Sequence, residues 1–223
     1  MKKVAVAIDG PAAAGKSTVA KIVAERKGYT YIDTGAMYRA FTWYCLKKGV
    51  DCQDEKACCA LIPEVQIELK PNHIVICNGE DVSSAIRQTN VSGNVSYIAS
   101  YKDIRLALVV LQRKMAEHDS VIMDGRDIGT YVLPNADVKI FQIASVQTRA
   151  IRRYEENISK GIACTYEEIE EDVKKRDYID SHRSFAPLKP AEDSIEIDTS
   201  NMSIEEVVTA IIEIIDKKLA EKN

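Results

Sequence analysis

The clearest chemistry lies near the N-terminus, in Gly10-Pro11-Ala12-Ala13-Ala14-Gly15-Lys16-Ser17, followed by Thr18. These residues fit G-x-x-x-x-G-K-[ST]. An apolar run, Lys3–Ile8, precedes them, and an amphipathic stretch, Ser17–Arg26, follows. The spacing therefore predicts strand, loop and helix in that order. Small residues let backbone N–H groups curl around phosphate oxygens, and the helix N-terminus adds the positive end of its dipole. In such a loop Lys16 reaches the β- and γ-phosphates, and the Ser17 hydroxyl ligates Mg²⁺. A chance match in a turn would not come with both flanking elements. The loop predicts nucleoside triphosphate binding without distinguishing hydrolysis, transfer and switching.

The arginines favour transfer. Arg39, Arg105, Arg126, Arg149, Arg152, Arg153, Arg176 and Arg183 fall in helical or turn contexts. A planar guanidinium suits bidentate phosphate binding. Joining two anionic substrates needs several cations to offset repulsion and stabilise the group in flight. Arg149, Arg152 and Arg153 lie at i, i+3 and i+4 of a helical stretch and are expected to share a face. The plainer alternative is a solvated face paired with Glu155 and Glu156.

Composition sets the frame. The chain has 223 residues, and its acids and bases sum to a net charge of −4, which argues against a general nucleic-acid binder. No apolar run reaches the length of a membrane span. The apolar stretch after the first lysines is too short for a secretion signal and enters the loop directly, so it reads as a strand. None of the six cysteines forms a C-x-x-C pair, and there are three histidines, so no zinc site is expected. Free thiols in a reducing cytoplasm are the expectation.

Along the chain, strand and helix signals alternate. Tyr29–Ile32 reads as a strand and Ala36–Lys48 as a helix. Val65–Leu69 and His73–Cys77 alternate like half-buried strands, and Asn78-Gly79 marks a hairpin turn, so an antiparallel insert is expected near 62–82. A helical tract over about 90–117 follows. Val121–Asp124 and Val138–Ala144 read as buried strands, and Ser145–Lys160 as a helix. Thr165–Glu168 and Ser203–Glu206 match capping boxes, with a last strand at Ile195–Asp198 between them. The polar stretch Lys174–Asp193 is expected to be the most mobile. No exposed apolar helix stands out, so a monomer is expected.

Several segments together resemble the bacterial cytidylate kinases, within the nucleoside monophosphate kinases: IDGPAAAGKST (8–18), IDTGAMYRA (32–40), GEDVSSAIR (79–87), MDGRDIGT (123–130), VKIFQIAS (138–145) and RDYIDSHRSFAPLKPAED (176–193). The loop is shared by many families, whereas the DGRDIGT segment with the insert is specific. The resemblance implies an α/β fold of the P-loop NTPase type: a parallel sheet flanked by helices, with an antiparallel NMP-binding insert and a short lid. It implies one kinase domain, with core segments 1–34, 119–150 and 185–223, an insert over about 35–118 and a lid over about 151–184.

The resemblance also implies transfer of the γ-phosphoryl group of ATP to CMP or dCMP, with Mg²⁺. In the family a short hydroxyl residue, an arginine and an aspartate read cytosine; here these fall on Thr34, Arg105 and Asp127. Serine is frequent at the first position, and threonine keeps the hydroxyl while adding a methyl. Arg39 and Arg126 match arginines holding the acceptor phosphate, with Arg176 and Arg183 closing from the polar segment. Ser96 and Asp180 match sugar contacts. Asp124 resembles the acid that orients Mg²⁺ through water. Arg149, Arg152 and Arg153 match a lid that closes over both phosphate chains, and Lys16, Arg126 and Arg183 join them as the catalytic cations. Asp9 is expected to have a structural hydrogen-bonding role, and Tyr38 to pack near the base or the phosphate-binding helix, or to be a core aromatic, the second being favoured. The alternatives are a kinase of another small anionic acceptor such as UMP or shikimate, and a nucleotide switch. The switch would call for N-K-x-D, which does not occur.

Overall fold

The structure, a computed structural model, describes residues 3–221; residues 1, 2, 222 and 223 of the expected core segments lie outside it. The apolar run forms β1 (Ala5–Asp9), and α1 (Lys16–Lys27) follows the glycine-rich loop. Then come β2 (Thr30–Asp33), α2 (Thr34–Lys47) and a short α3 (Glu55–Ala60). The insert supplies β3 (Ile67–Lys70), β4 (Ile74–Cys77) and β5 (Glu80–Asp81), then α4 (Thr89–Ile98) and α5 (Lys102–Met115). The chain returns through β6 (Val121–Gly125), β7 (Val138–Ile143), α6 (Val146–Ser159), α7 (Tyr166–His182), β8 (Ile195–Asp198) and α8 (Ile204–Ala220).

The five long-range strands form one parallel sheet in the order β2-β6-β1-β7-β8. Both faces are covered, as the continuous apolar strands require. Val19 and Val23 of α1 and Val208 and Ile211 of α8 pack on one face against Val6, Ile8 and Ile122. Val109 of α5, Ile128 and Val132 cover the other face over Ala7 and Met123. Because β1 is central, its C-terminal loop opens at the middle of the sheet edge. The register pairs Asp9 with Gly125 and Asp33 with Asp124, which brings three strand ends together there.

The insert has its own core. Met37 and Phe41 of α2 pack with Ile67, Val75, Ile86, Ile98 and Ile104. The antiparallel order β3-β4-β5 and the Asn78-Gly79 turn agree with the expectation; both turn residues have positive φ, 50° and 80°.

Four details differ from the sequence expectation. Helix α2 begins at Thr34 rather than Ala36, because the Asp33 carboxylate caps it by accepting from Ala36 N at 2.7 Å. The tract 90–117 is two helices, broken at Ala99–Tyr101. The break frees the Ala99 carbonyl, which accepts from Arg105 at 2.9 Å and from Arg183 at 3.3 Å. Helix α3 carried no periodic signal over its six residues. The stretch 174–193 is helical as far as His182 and carries buried Asp180 and Arg183, which line a cleft together with Arg176. Both capping boxes form, at Thr165/Glu168 and Ser203/Glu206. Among the described residues no helix is long and apolar enough to cross a membrane.

Candidate active site

A cleft of about 810 Å³ opens between the loop, the insert and the α6–α7 pair. This is the size range of a site for small molecules. One end is the loop itself. Gly10 has φ 151°, and a Cβ there would sit 2.0 Å from the Gln142 carbonyl oxygen, so the close approach of loop and β7 excludes any side chain. Ala13 and Gly15 also have positive φ, 58° and 85°, which curls the loop. The Lys16 ammonium donates to the Pro11 carbonyl at 2.7 Å, and burial together with nearby Arg126 lowers its pKa. Asp9 accepts from Ile128 N at 2.8 Å and Gly129 N at 2.7 Å, holding the turn after β6 against the loop. Burial raises its pKa to about 7. That turn, Ile128–Val132, is a single wide turn with i→i+5 hydrogen bonds.

Behind the loop sit two groups that brace it. Gln142 donates to the Ala14 carbonyl at 2.6 Å. Arg149 donates to Ala12 O at 3.0 Å, to Ala144 O at 2.8 Å and to Asp177 at 2.6 Å. Arg149 is therefore buried against the back of the loop and does not line the cleft, contrary to the expected common face with Arg152 and Arg153. It lies one turn nearer the start of α6, where β7 and the loop are within reach. Arg152 and Arg153 do line the cleft; Arg152 donates to Thr199 O at 2.6 Å, and Arg153 pairs with Glu156 at 3.3 Å.

A cluster of oxygens stands beside the loop. Ser17 Oγ donates to Asp124 Oδ2 at 2.8 Å, and Tyr31 Oη donates to Asp124 Oδ1 at 2.7 Å. Burial and the neighbouring Asp33 raise the Asp124 pKa, against the pull of Lys16. Among the described residues no group of three or more His, Cys, Asp or Glu side chains could enclose a metal. A hard hydroxyl and one carboxylate at a phosphate loop fit a Mg²⁺ that takes its other ligands from phosphates and water.

The far end of the cleft is lined by arginines and paired acids. Arg105 is buried; it donates to Asp127 Oδ2 at 2.5 Å, and its guanidinium lies 5.1 Å from the Tyr38 ring centroid. Arg183 donates to Asp127 Oδ1 at 3.3 Å. Thr34 Oγ1 donates to the Asp124 carbonyl at 2.7 Å, so the hydroxyl lone pairs remain as acceptors. Arg126 donates to Asp180 at 2.8 Å. Although burial opposes it, Arg126, Arg183 and Arg176 hold the Asp180 carboxyl below its usual range. Burial and Arg126 lower the Arg176 pKa to about 10. Arg39 and Arg87 both donate to Asp33, at 3.2 and 3.0 Å. The Nε atoms of Arg39, Arg105 and Arg176 are buried without a hydrogen-bond partner. Unpaired buried cationic donors lining a cleft call for an anionic or polar ligand.

Of the residues singled out from the sequence, Ala13–Thr18, Thr34, Arg39, Ser96, Arg105, Asp124, Arg126, Asp127, Arg152, Arg153, Arg176, Asp180 and Arg183 line this one cleft. Gly10, Pro11 and Ala12 shape the loop from outside it. Tyr38 is buried as expected, but it also lines the cleft. Sequence reasoning passed over Gln142, Tyr31, Asp33 and Arg87. Asp33 was legible as a capping residue before a helix; the other three gave no local signal, because their partners lie on distant segments.

The family described as cytidylate kinase matches residues 6–217. The cytidylate kinase of Bacillus licheniformis is 54% identical over 221 residues, covering 97% of this chain and 98% of the relative. That of Anoxybacillus flavithermus is 53% identical over 221 residues, covering 98% of each. That of Bacillus subtilis is 52% identical over 220 residues, covering 97% and 98%. Among solved structures, a gluconokinase from Sinorhizobium meliloti superposes with a TM-score of 0.52 at 12% identity, covering 99% of this chain and 97% of its own. An uncharacterized protein from Eubacterium ventriosum gives 0.54 at 16% identity, covering 97% and 99%. These two likenesses describe the fold.

Proposed function

The chain belongs to the cytidylate kinase family, and on that premise we propose that it transfers the γ-phosphoryl group of ATP to CMP or dCMP, giving ADP and CDP or dCDP. The observation that carries this reading is the Asp127 carboxylate held between Arg105 and Arg183 in the cleft that begins at the phosphate loop. Cytosine presents an amino donor beside two ring acceptors. Asp127 and the lone pairs of Thr34 face the amino group, and Arg105 faces N3 and O2. Uracil would turn O4 toward the carboxylate and leave buried groups unpaired, which discriminates strongly.

ATP lies along Gly10–Thr18, with Lys16 on its β- and γ-phosphates. The acceptor phosphate sits among Arg39, Arg126, Arg176 and Arg183. Ser96 and Asp180 lie at the sugar. Arg152 and Arg153, on α6, close over the junction of the two phosphate chains and exclude water as a competing acceptor. Arg149 holds the loop from behind and acts through it. The attacking oxygen is already anionic, so no general base is required; positioning and charge stabilisation do the work. Ser17 would hold Mg²⁺ directly and Asp124 through water. Such an ion would supply charge neutralisation to the transferring phosphates.

In this reading the insert over 35–118 and the helical pair within 151–184 move relative to the rest, which the separate apolar core of the insert supports. The protein works as a monomer in the cytoplasm, with no nucleic-acid or membrane partner; its six free thiols suit a reducing compartment. Phosphorus NMR of ATP, Mg²⁺ and one nucleotide at a time tests the reaction. Appearance of CDP and dCDP signals with ADP supports it. Product from shikimate instead, or ADP formed at the same rate without an acceptor, would overturn it.

A further inference from the structure

We propose that Tyr31 is a positioning residue that fixes the orientation of the Asp124 carboxylate, and with it the Mg²⁺-dependent part of ATP binding. The inference rests on the reading that Asp124 serves the metal through water. Tyr31 sits on edge strand β2, opposite Ile122 and two residues before Asp33, which is opposite Asp124. Its side chain reaches along the sheet edge to donate to Asp124 Oδ1 at 2.7 Å, while Ser17 Oγ holds Oδ2 at 2.8 Å. Rotation about the last torsion of an aspartate is otherwise soft. One donor on each oxygen fixes the carboxylate plane and leaves a lone pair on each for water.

The ring is itself held. The edge of His73, in the β3–β4 turn, packs against it with centroids 5.7 Å apart at 79°. The Lys21 ammonium of α1 lies 5.8 Å from its centroid. Tyr31 is thus wedged between the helix behind the phosphate loop and the tip of the insert.

The test is equilibrium binding of a fluorescent ATP analogue with and without Mg²⁺, alongside CMP binding. Tyr31→Phe keeps the ring and removes the donor. Its Mg²⁺-dependent gain in ATP affinity is expected to fall about three- to tenfold, the scale of one typical intramolecular hydrogen bond. Metal-free ATP affinity and CMP affinity stay unchanged. Tyr31→Met, which drops the ring as well, shows the same loss. A full Mg²⁺ gain in Tyr31→Phe, beside a lost gain in Asp124→Asn, would overturn the role of Tyr31. So would a loss in the Met variant that Tyr31→Phe does not show, since that would be packing alone. An unchanged gain in Asp124→Asn would overturn the reading of Asp124 itself, and this inference with it.

Discussion

Arg105 donates to Asp127 across 2.5 Å with both side chains almost wholly buried, at 1% and 5% exposure. Such a pair is costly to bury and more costly to break, because the surviving charge is stranded. Here the carboxylate retains Arg183 at 3.3 Å as a second partner. Arg105→Met should therefore destabilise the fold by about 3 kcal/mol. It should also lower kcat/KM for CMP by about 100-fold, as loss of a base-reading donor does. Urea unfolding and steady-state kinetics check the two effects separately; unchanged CMP kinetics would remove Arg105 from the base pocket.

Arg126 bridges Asp180 and the cleft, at 2.8 Å from the carboxylate. If it holds the acceptor phosphate, Arg126→Ala should lower kcat by about 100-fold or more, while ATP affinity changes little. Isothermal titration with ATP alone, beside turnover, separates the two. A change confined to ATP affinity would contradict the assigned role.

Gly10 answers to geometry. At φ 151°, with the Gln142 carbonyl 2.0 Å from where a Cβ would be, Gly10→Ala must push the loop off β7. Loss of ATP binding is expected together with a lower Tm. An alanine variant that binds ATP normally would show that the loop and β7 are not held this close.

Much of this was legible in the sequence. The P-loop spacing and the two capping boxes are local patterns, and the central strands β1 and β6 open as continuous apolar runs. The bracing of the site was not. Gln142, Tyr31 and Arg87 act on partners between 54 and 128 residues away, which no periodicity reveals. The break at Ala99 was hidden for the same reason. Its freed carbonyl is satisfied by Arg105 and Arg183, the second of which is 84 residues distant. Arg149 shows the converse limit: helical spacing puts it near Arg152 and Arg153, but depth along α6 decides which arginine faces the cleft.

Asp9 gives a pH signature. Its folded pKa, raised by burial to about 7 from 3.8, means the folded state binds more protons than the unfolded state between those values. Its contribution to stability is thus fully present below the unfolded value and lost as pH rises toward 7. The change is on the order of 4 kcal/mol at most. In Asp9→Asn that slope disappears, whatever the baseline cost of replacing an acceptor with an amide donor. Urea midpoints from pH 4 to 8 measure the difference between the two proteins. A difference independent of pH would contradict the raised pKa.

The central claim is that this cleft reads cytosine through Asp127, Arg105 and Thr34. The ratio of kcat/KM for CMP to that for UMP, with ATP and Mg²⁺ held saturating, tests it most directly. A ratio of about 100 or more is expected, since uracil leaves buried polar groups unpaired. Equal turnover of the two nucleotides would contradict it.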